Sequence, residues 1–458
     1  MEAHLSRRLP DGQGYKICYI LAGCLVVLLA AFTVYFQRNI PVGDAWEFTE
    51  VICGQQPCTL NWLWHQHNEH HMPVQKLIAY GLAKLTGWNT IWESMFTFLL
   101  IAAGGLLFIK RFVLDSATGK KTRALSLLCF ALLLFNPAQI NNLTWGFQIA
   151  WGLIFFFCML LAVCLSRFEN DLKSFIGIAM ILVVLTGTSM HGLAGHVYIL
   201  GWAVACMIER RRFLLYPFFL GLVAAVLLVL YFWDFYFIGA HPPITYAFSH
   251  ILQTCGYILA FIGNPFACGN LIVGIVHGLI FVCLAVYAFT RAVKTKSFFR
   301  DGLRFYRENP LIFTGAIIML MITAGRVGFG ETQALSSRYA TCAILLDAAL
   351  LLYILTSMSE KKILPTFFIG LLSVGLATGY YTAYTSEARH IKLLTEFRSC
   401  AIDNHADIST CNASIVYPDI KPLQERVRLL YAKRLSFFRD VPDSYFLEHK
   451  EKKPSIGR

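Results

Sequence analysis

The chain has 458 residues, 57% of them hydrophobic and only 14% charged. A soluble domain carries nearer a quarter charged residues, so a water-soluble globular fold is excluded. The formal net charge of +12 does not point to nucleic acid, because the basic residues sit in short loops between apolar stretches, where membrane proteins use them to set topology.

An apolar run from about Ile17 to Tyr35 follows Arg7, Arg8 and Lys16. It is long for a signal peptide and lacks a small-residue cleavage site, so it predicts a retained first helix. Similar runs recur along most of the chain, and in lipid a helix satisfies its own backbone groups. Basic clusters lie at Lys110, Arg111, Lys120, Lys121 and Arg123, at Arg167 and Lys173, at Arg210 to Arg212, between Arg291 and Arg307, and at Lys361 and Lys362. Placing them all in the cytoplasm requires about eleven helices, with the N-terminus inside and the C-terminus outside. The stretch from about Ser249 to Ile262 is apolar enough to span, but counting it reverses every later loop. It is therefore read, with Gly263, Asn264 and Pro265 interrupting it, as a re-entrant or interfacial element on the outer side.

The expectation is an all-α polytopic membrane protein: a transmembrane part, residues 1–385, with an outer loop 37–84, and a small outer cap of helices, residues 386–458. Cys129, Cys158, Cys206 and Cys283 fall inside apolar helices, where cysteine behaves as a small hydrophobe. Two pairs lie outside them, Cys53 with Cys58 and Cys400 with Cys411. Both fall in outer segments, where an oxidising compartment favours disulfides, although spacing alone leaves four free thiols as the alternative.

The polar residues collect in the outer loops. The first holds Asp44 and Glu47, then Trp62, Trp64, His65, His67, Asn68, Glu69, His70 and His71. Acids just outside a first membrane helix suit a general base or a metal ligand at the bilayer surface; the bland alternative is a solvated loop whose tryptophans mark the interface. The three-residue spacing of His67 and His70, without a His-Glu-x-x-His pattern, argues against zinc. Asp44 and Glu69 are the carboxylates left for a divalent cation such as magnesium or manganese, but no Asp-x-Asp element accompanies them and no cofactor is assigned. The second loop, Phe135 to Gln148, offers amides and Trp145 for sugar recognition, with Trp145 and Gln148 as candidate pocket residues; a capped helix start explains it equally. The third, Ser189 to His196, contributes His191 beside glycines. The last carries Arg326 in a glycine-rich segment and then Arg338-Tyr339. Arginine presents a planar fork that suits phosphate oxygens, the alternative being a snorkelling side chain; Lys76 is a second cationic candidate.

In order and spacing, Gly43-Asp44-Ala45-Trp46, His67-Asn68-Glu69-His70, Asn142-Leu143-Thr144-Trp145-Gly146-Phe147-Gln148, Gly325-Arg326 and Ser337-Arg338-Tyr339 resemble bacterial polytopic glycosyltransferases of the GT-C fold. Within that group the chain is similar to O-antigen-modifying glucosyltransferases and to lipid A aminoarabinose and protein O-mannosyl transferases. The resemblance implies a sugar donor on undecaprenyl phosphate, used at the periplasmic face of the bacterial inner membrane, with an envelope glycan or lipid as acceptor and no nucleic acid partner. It implies Asp44 as the catalytic acid, Glu69 with His70 beside it, and Arg338 and Arg326 at the lipid phosphate. His71 stands where the family frequently has arginine, so position 71 is not a phosphate ligand here. The mechanism expected is a direct, inverting displacement in which Asp44 takes the proton of the acceptor hydroxyl. Rival readings are an O-antigen polymerase or ligase, whose larger outer loops are arginine-rich, and a transporter, which would place ionisable groups near the bilayer midplane, where Asp347 is the main candidate.

Overall fold

The computed structural model describes residues 13–116, 119–239, 241–292, 298–358, 361 and 363–449. Arg7, Arg8, Lys294, Lys296, Lys362 and the tail beyond 449 lie outside these residues. Among the described residues the regular structure is helical, without a strand. Ten helices are long and apolar enough to cross a bilayer, from the first near the N-terminus to Leu364–Asp403.

Two further apolar helices are shorter: Leu172–Thr186 with 15 residues and Ile251–Ile262 with 12. At about 1.5 Å per residue the second reaches roughly 18 Å, well short of a hydrocarbon core of about 30 Å. It stops at Gly263, turns through the short helix Asn264–Ala267, and packs along Leu271–Ala292. The two touch backbone to backbone. A Cβ on Gly263 would lie 1.9 Å from the Gly274 carbonyl oxygen, and one on Gly278 2.0 Å from that of Leu259. Small residues permit this close approach, a common device where helices associate in lipid.

Side chains such as Phe108, Phe130, Phe155, Tyr198 and Phe281 fill the bundle core. A second cluster lies beyond one end of the bundle, where Leu394, Phe397, Val427, Leu430, Phe437 and Phe438 of the tail close over Trp46, Phe48, Ile52 and Trp88. Its spine is Leu364–Asp403, 40 residues or about 60 Å, which leaves the bundle and runs unbroken through position 385 into the cap. Cys400 and Cys411 form a disulfide, their Cα atoms 5.7 Å apart, across the turn that leads to the helix Ile420–Lys433. Cys53 and Cys58 do not pair. Cys53 ends the helix Thr49–Ile52 with its side chain in the cap core, where burial pushes its thiol up to about 11.

The loops sort by end. At one end Arg111 meets Ser166, Arg167 meets Asp115, and Arg307 meets Glu209, which brings the basic loops together. The polar loops gather at the other, beneath the cap.

Candidate functional site

At the polar end, Gly43 adopts φ +53, its N–H donates to the Val416 carbonyl of the cap, and the chain then enters the 3-10 helix Gly43–Phe48. That short helix points Asp44 and Glu47 outward while Trp46 anchors the cap core. The next polar stretch is a tight turn. His67 and His70 exchange two backbone hydrogen bonds of 2.9 and 3.0 Å, and Asn68 between them sits at φ +48, a conformation that asparagine tolerates better than most residues. Gln66 ties the turn to Tyr236 through both of its amide atoms, so the segment after the helix Leu215–Phe232 braces the first loop.

His67 lies between two carboxylates, Nε2 3.3 Å from Asp44 and Nδ1 3.0 Å from Glu47. Burial alone would lower its pKa, but the hydrogen bonds and charges of Asp44 and Glu47 outweigh it and lift the imidazole to about 9. His67 is therefore an imidazolium at neutral pH and donates from both ring nitrogens. His70 goes the other way: burial, with His191 and Arg326 nearby, drives it well below its usual value. It is a neutral imidazole whose Nδ1 has no hydrogen-bond partner among the described residues.

Glu69, 9% exposed, accepts from His241 Nδ1 at 2.5 Å, and its other oxygen is 4.0 Å from Arg326. Arg326 also approaches His241 Nε2 at 3.4 Å. His241 belongs to this network although no sequence motif marks it; a lone histidine before Pro242-Pro243 in an aromatic loop is the only local signal.

Asp44, His67, His70, Trp145, Gln148, His191, Arg326, Arg338 and Tyr339 all line one cavity of about 100 Å³. Asn68, Gln75, Phe147, Trp151 and Ser189 line it too, beyond the residues that the sequence marks as candidates. Among the described residues, several buried polar atoms around it, His70 Nδ1, Gln75 Oε1, Ser189 Oγ, His191 Nδ1 and Arg338 Nε, have no hydrogen-bond partner. Buried polar groups are ordinarily satisfied, so a concentration of open donors and acceptors around one cavity makes it the candidate site. Arg338 lies in the first turn of Ser337–Ser357 above the Tyr339 ring, with no carboxylate within ion-pair distance among the described residues.

Three candidates stand outside the lining. Glu47 and Glu69 act on it through His67 and Arg326. Lys76 serves the scaffold instead. Its ammonium donates to the carbonyls of Trp62 and His65 at 2.9 and 2.6 Å, stapling the loop to the helix Pro73–Thr86, and burial lowers it to about 8. His71 stacks on Trp64 and pairs with Asp234, bracing the loop from outside the cavity. For a divalent cation the ligands are already engaged, since Asp44 and Glu47 hold His67 and Glu69 holds His241; among the described residues no group of three or more His, Cys, Asp or Glu is placed to hold a metal ion.

No known protein family, curated protein or solved structure matches the chain.

Proposed function

We propose that the chain is an inner-membrane glycosyltransferase of GT-C type that moves a sugar from a polyprenyl-phosphate carrier to a cell-envelope acceptor at the periplasmic face. The observation that carries the reading is a single cavity with a carboxylate, Asp44, and an unpaired guanidinium, Arg338, among open polar atoms and the indole of Trp145. Glycosyl transfer from a lipid phosphate needs these parts together: a base for the incoming hydroxyl, a cation for the leaving phosphate, and a flat apolar wall for the ring. In this reading Asp44 removes the acceptor proton, the acceptor oxygen attacks the anomeric carbon, and the carbon–oxygen bond to the phosphate breaks with inversion. Arg338, at a helix start where free N–H groups also favour an anion, takes the charge of the departing phosphate. Arg326 is held by Glu69 and His241 and contributes from the side. His67 positions Asp44 rather than reacting.

The topology that accompanies this reading has eleven crossings. Leu172–Thr186 crosses and Ile251–Ile262 re-enters from the outer side, which keeps every basic loop in the cytoplasm and both the cavity and the cap in the periplasm.

Membranes carrying the full chain, given radiolabelled polyprenyl-phosphate sugars and envelope glycan, test the reading. Asp44→Asn should lower transfer by roughly 10²–10⁴, the usual worth of a positioned base, with the protein still inserted. Full transfer by Asp44→Asn would remove the base; no transfer by the unsubstituted chain from any such donor would remove the reading.

Asp347 favours a second reading, transport. It lies fully buried in Ser337–Ser357, both oxygens without a hydrogen-bond partner among the described residues, and ionisable groups inside membrane helices often mark a pathway. Asp347→Asn should leave glycosyl transfer within a factor of about three if the residue only packs; an unsubstituted chain that transfers no sugar but shows proton-coupled uptake, lost in Asp347→Asn, would establish transport instead.

A further inference from the structure

A second cavity, of about 230 Å³, lies behind Trp145, lined by Arg38, Asn141, Thr144, Glu387 and His390 among others. Trp145 lines both cavities and so stands as their shared wall. Its place is fixed from two directions. The indole Nε1 donates to the Val42 carbonyl at 2.8 Å, and the ring lies so close over Gly43 that a Cβ there would come within 2.8 Å of it.

The unusual group here is Glu387. It is 1% exposed, on the long helix Leu364–Asp403, and among the described residues no cationic side chain forms an ion pair with it. Asn141 Nδ2 donates to one carboxylate oxygen at 3.0 Å, and Thr144 Oγ1 lies 3.2 Å from the other. Thr144 has one proton for two acceptors, however, since its hydroxyl also lies 3.0 Å from the Ile140 carbonyl. Glu387 thus has acceptor capacity facing a cavity, and a buried carboxylate in such a place is costly unless donors complete its shell.

The chemistry of the walls narrows the ligand. Part of the wall is apolar, the Trp145 indole with Phe36, Ile40, Val42 and Leu394, which suits a sugar ring's apolar side; the polar part is a carboxylate, an amide, a hydroxyl and an imidazole, the groups that bind vicinal hydroxyls. Arg38 spends two bonds of one guanidinium nitrogen on the Tyr35 and Gln37 carbonyls and, among the described residues, makes no other hydrogen bond with its guanidinium. We propose that this cavity is a second carbohydrate pocket, which holds one sugar unit of the acceptor glycan on the far side of Trp145, beside the unit whose hydroxyl reaches Asp44, with Glu387 as its principal hydrogen-bond acceptor. The assignment of the ligand as the acceptor rests on the glycosyl-transfer reading above; the assignment of a carbohydrate pocket does not.

The test uses the full chain in membranes. Glu387→Gln keeps the shape and replaces the carboxylate, and Asn141→Ala removes one of its donors. Both should raise KM for the acceptor glycan about tenfold, the worth of one hydrogen bond, while KM for the polyprenyl-phosphate sugar stays within about twofold. An acceptor KM that does not move, or a donor KM that rises with it, overturns the assignment. Should the unsubstituted chain transfer no sugar, indole fluorescence of the purified full chain, titrated with envelope oligosaccharide, decides the pocket by itself. Saturable quenching that Glu387→Gln loses supports it, and no quenching of the unsubstituted chain ends it.

Discussion

His67 holds its proton because two carboxylates face it, and the consequence is a pH dependence with a definite sign. A histidine lifted from its usual value to about 9 by Asp44 and Glu47 gives its full stabilisation below its unfolded pKa of about 6.5 and loses it as pH rises through about 9. The contribution is on the order of 2 kcal/mol, with half-exposed partners screening part of it. Thermal inactivation of the solubilised chain should therefore fall to lower temperature between about pH 6.5 and 9, and His67→Gln should flatten that window. An unchanged slope in His67→Gln would mean that another group is responsible. Gly43 offers a second test at the same scale. With φ at +53 and the indole only 2.8 Å from where a Cβ would lie, the position leaves no room for alanine. Gly43→Ala should displace Trp145, lowering transfer about tenfold or more through lost positioning; wild-type activity in a folded Gly43→Ala would show that the contact of Gly43 with Trp145 has no role. The acid- and histidine-rich first loop is legible in the sequence because such residues are rare beside membrane helices. His241 and Glu387 are not: the partners that give them meaning lie 172 and 246 positions away, and nothing local distinguishes them.

At the scale of elements, the cap is part of the site's scaffold. Phe397 and Val427 pack with Trp46 and Phe48 of the first loop, and the Gly43 N–H bonds to Val416, so the cap fixes the segment that carries Asp44. Phe397→Ala should cost about 3–5 kcal/mol of local stability and reduce transfer with it, read as thermal inactivation and activity on the same preparation. Stability lost without activity lost would separate the cap from the site. The cap is visible in the sequence by its charge and its cysteine pair, and Cys400–Cys411 forms as expected. That one 40-residue helix joins cap and bundle is not visible there, because the apolar stripe fades where the helix leaves the lipid while the helical backbone does not. Cys53 departs from expectation for a related reason: two cysteines five positions apart suggest a small loop, but packing turns one into the cap core.

For the whole molecule the deciding quantity is which side of the membrane each end faces. The basic loops meet at one end and the polar cavity with its cap at the other, and the proposed topology takes the sense of the bundle from the cytoplasmic bias of short basic loops. That sense depends on the parity of the crossings. Were Ile251–Ile262 a full span, Arg326 and Arg338 would stand on the opposite side from Asp44, yet all three line one cavity, and a 12-residue helix is too short to cross. Single cysteines placed at two exposed positions, Ser409 in the cap and Asn170 in a basic loop, in a background carrying Cys58→Ser, Cys255→Ser and Cys268→Ser, report on it directly. A membrane-impermeant maleimide added to intact spheroplasts should label Ser409→Cys and spare Asn170→Cys until the membrane is permeabilised. Labelling of Asn170→Cys alone would invert the protein and place its candidate site where no outward-facing lipid-linked sugar could reach it, and labelling of both would break the parity on which the eleven crossings depend.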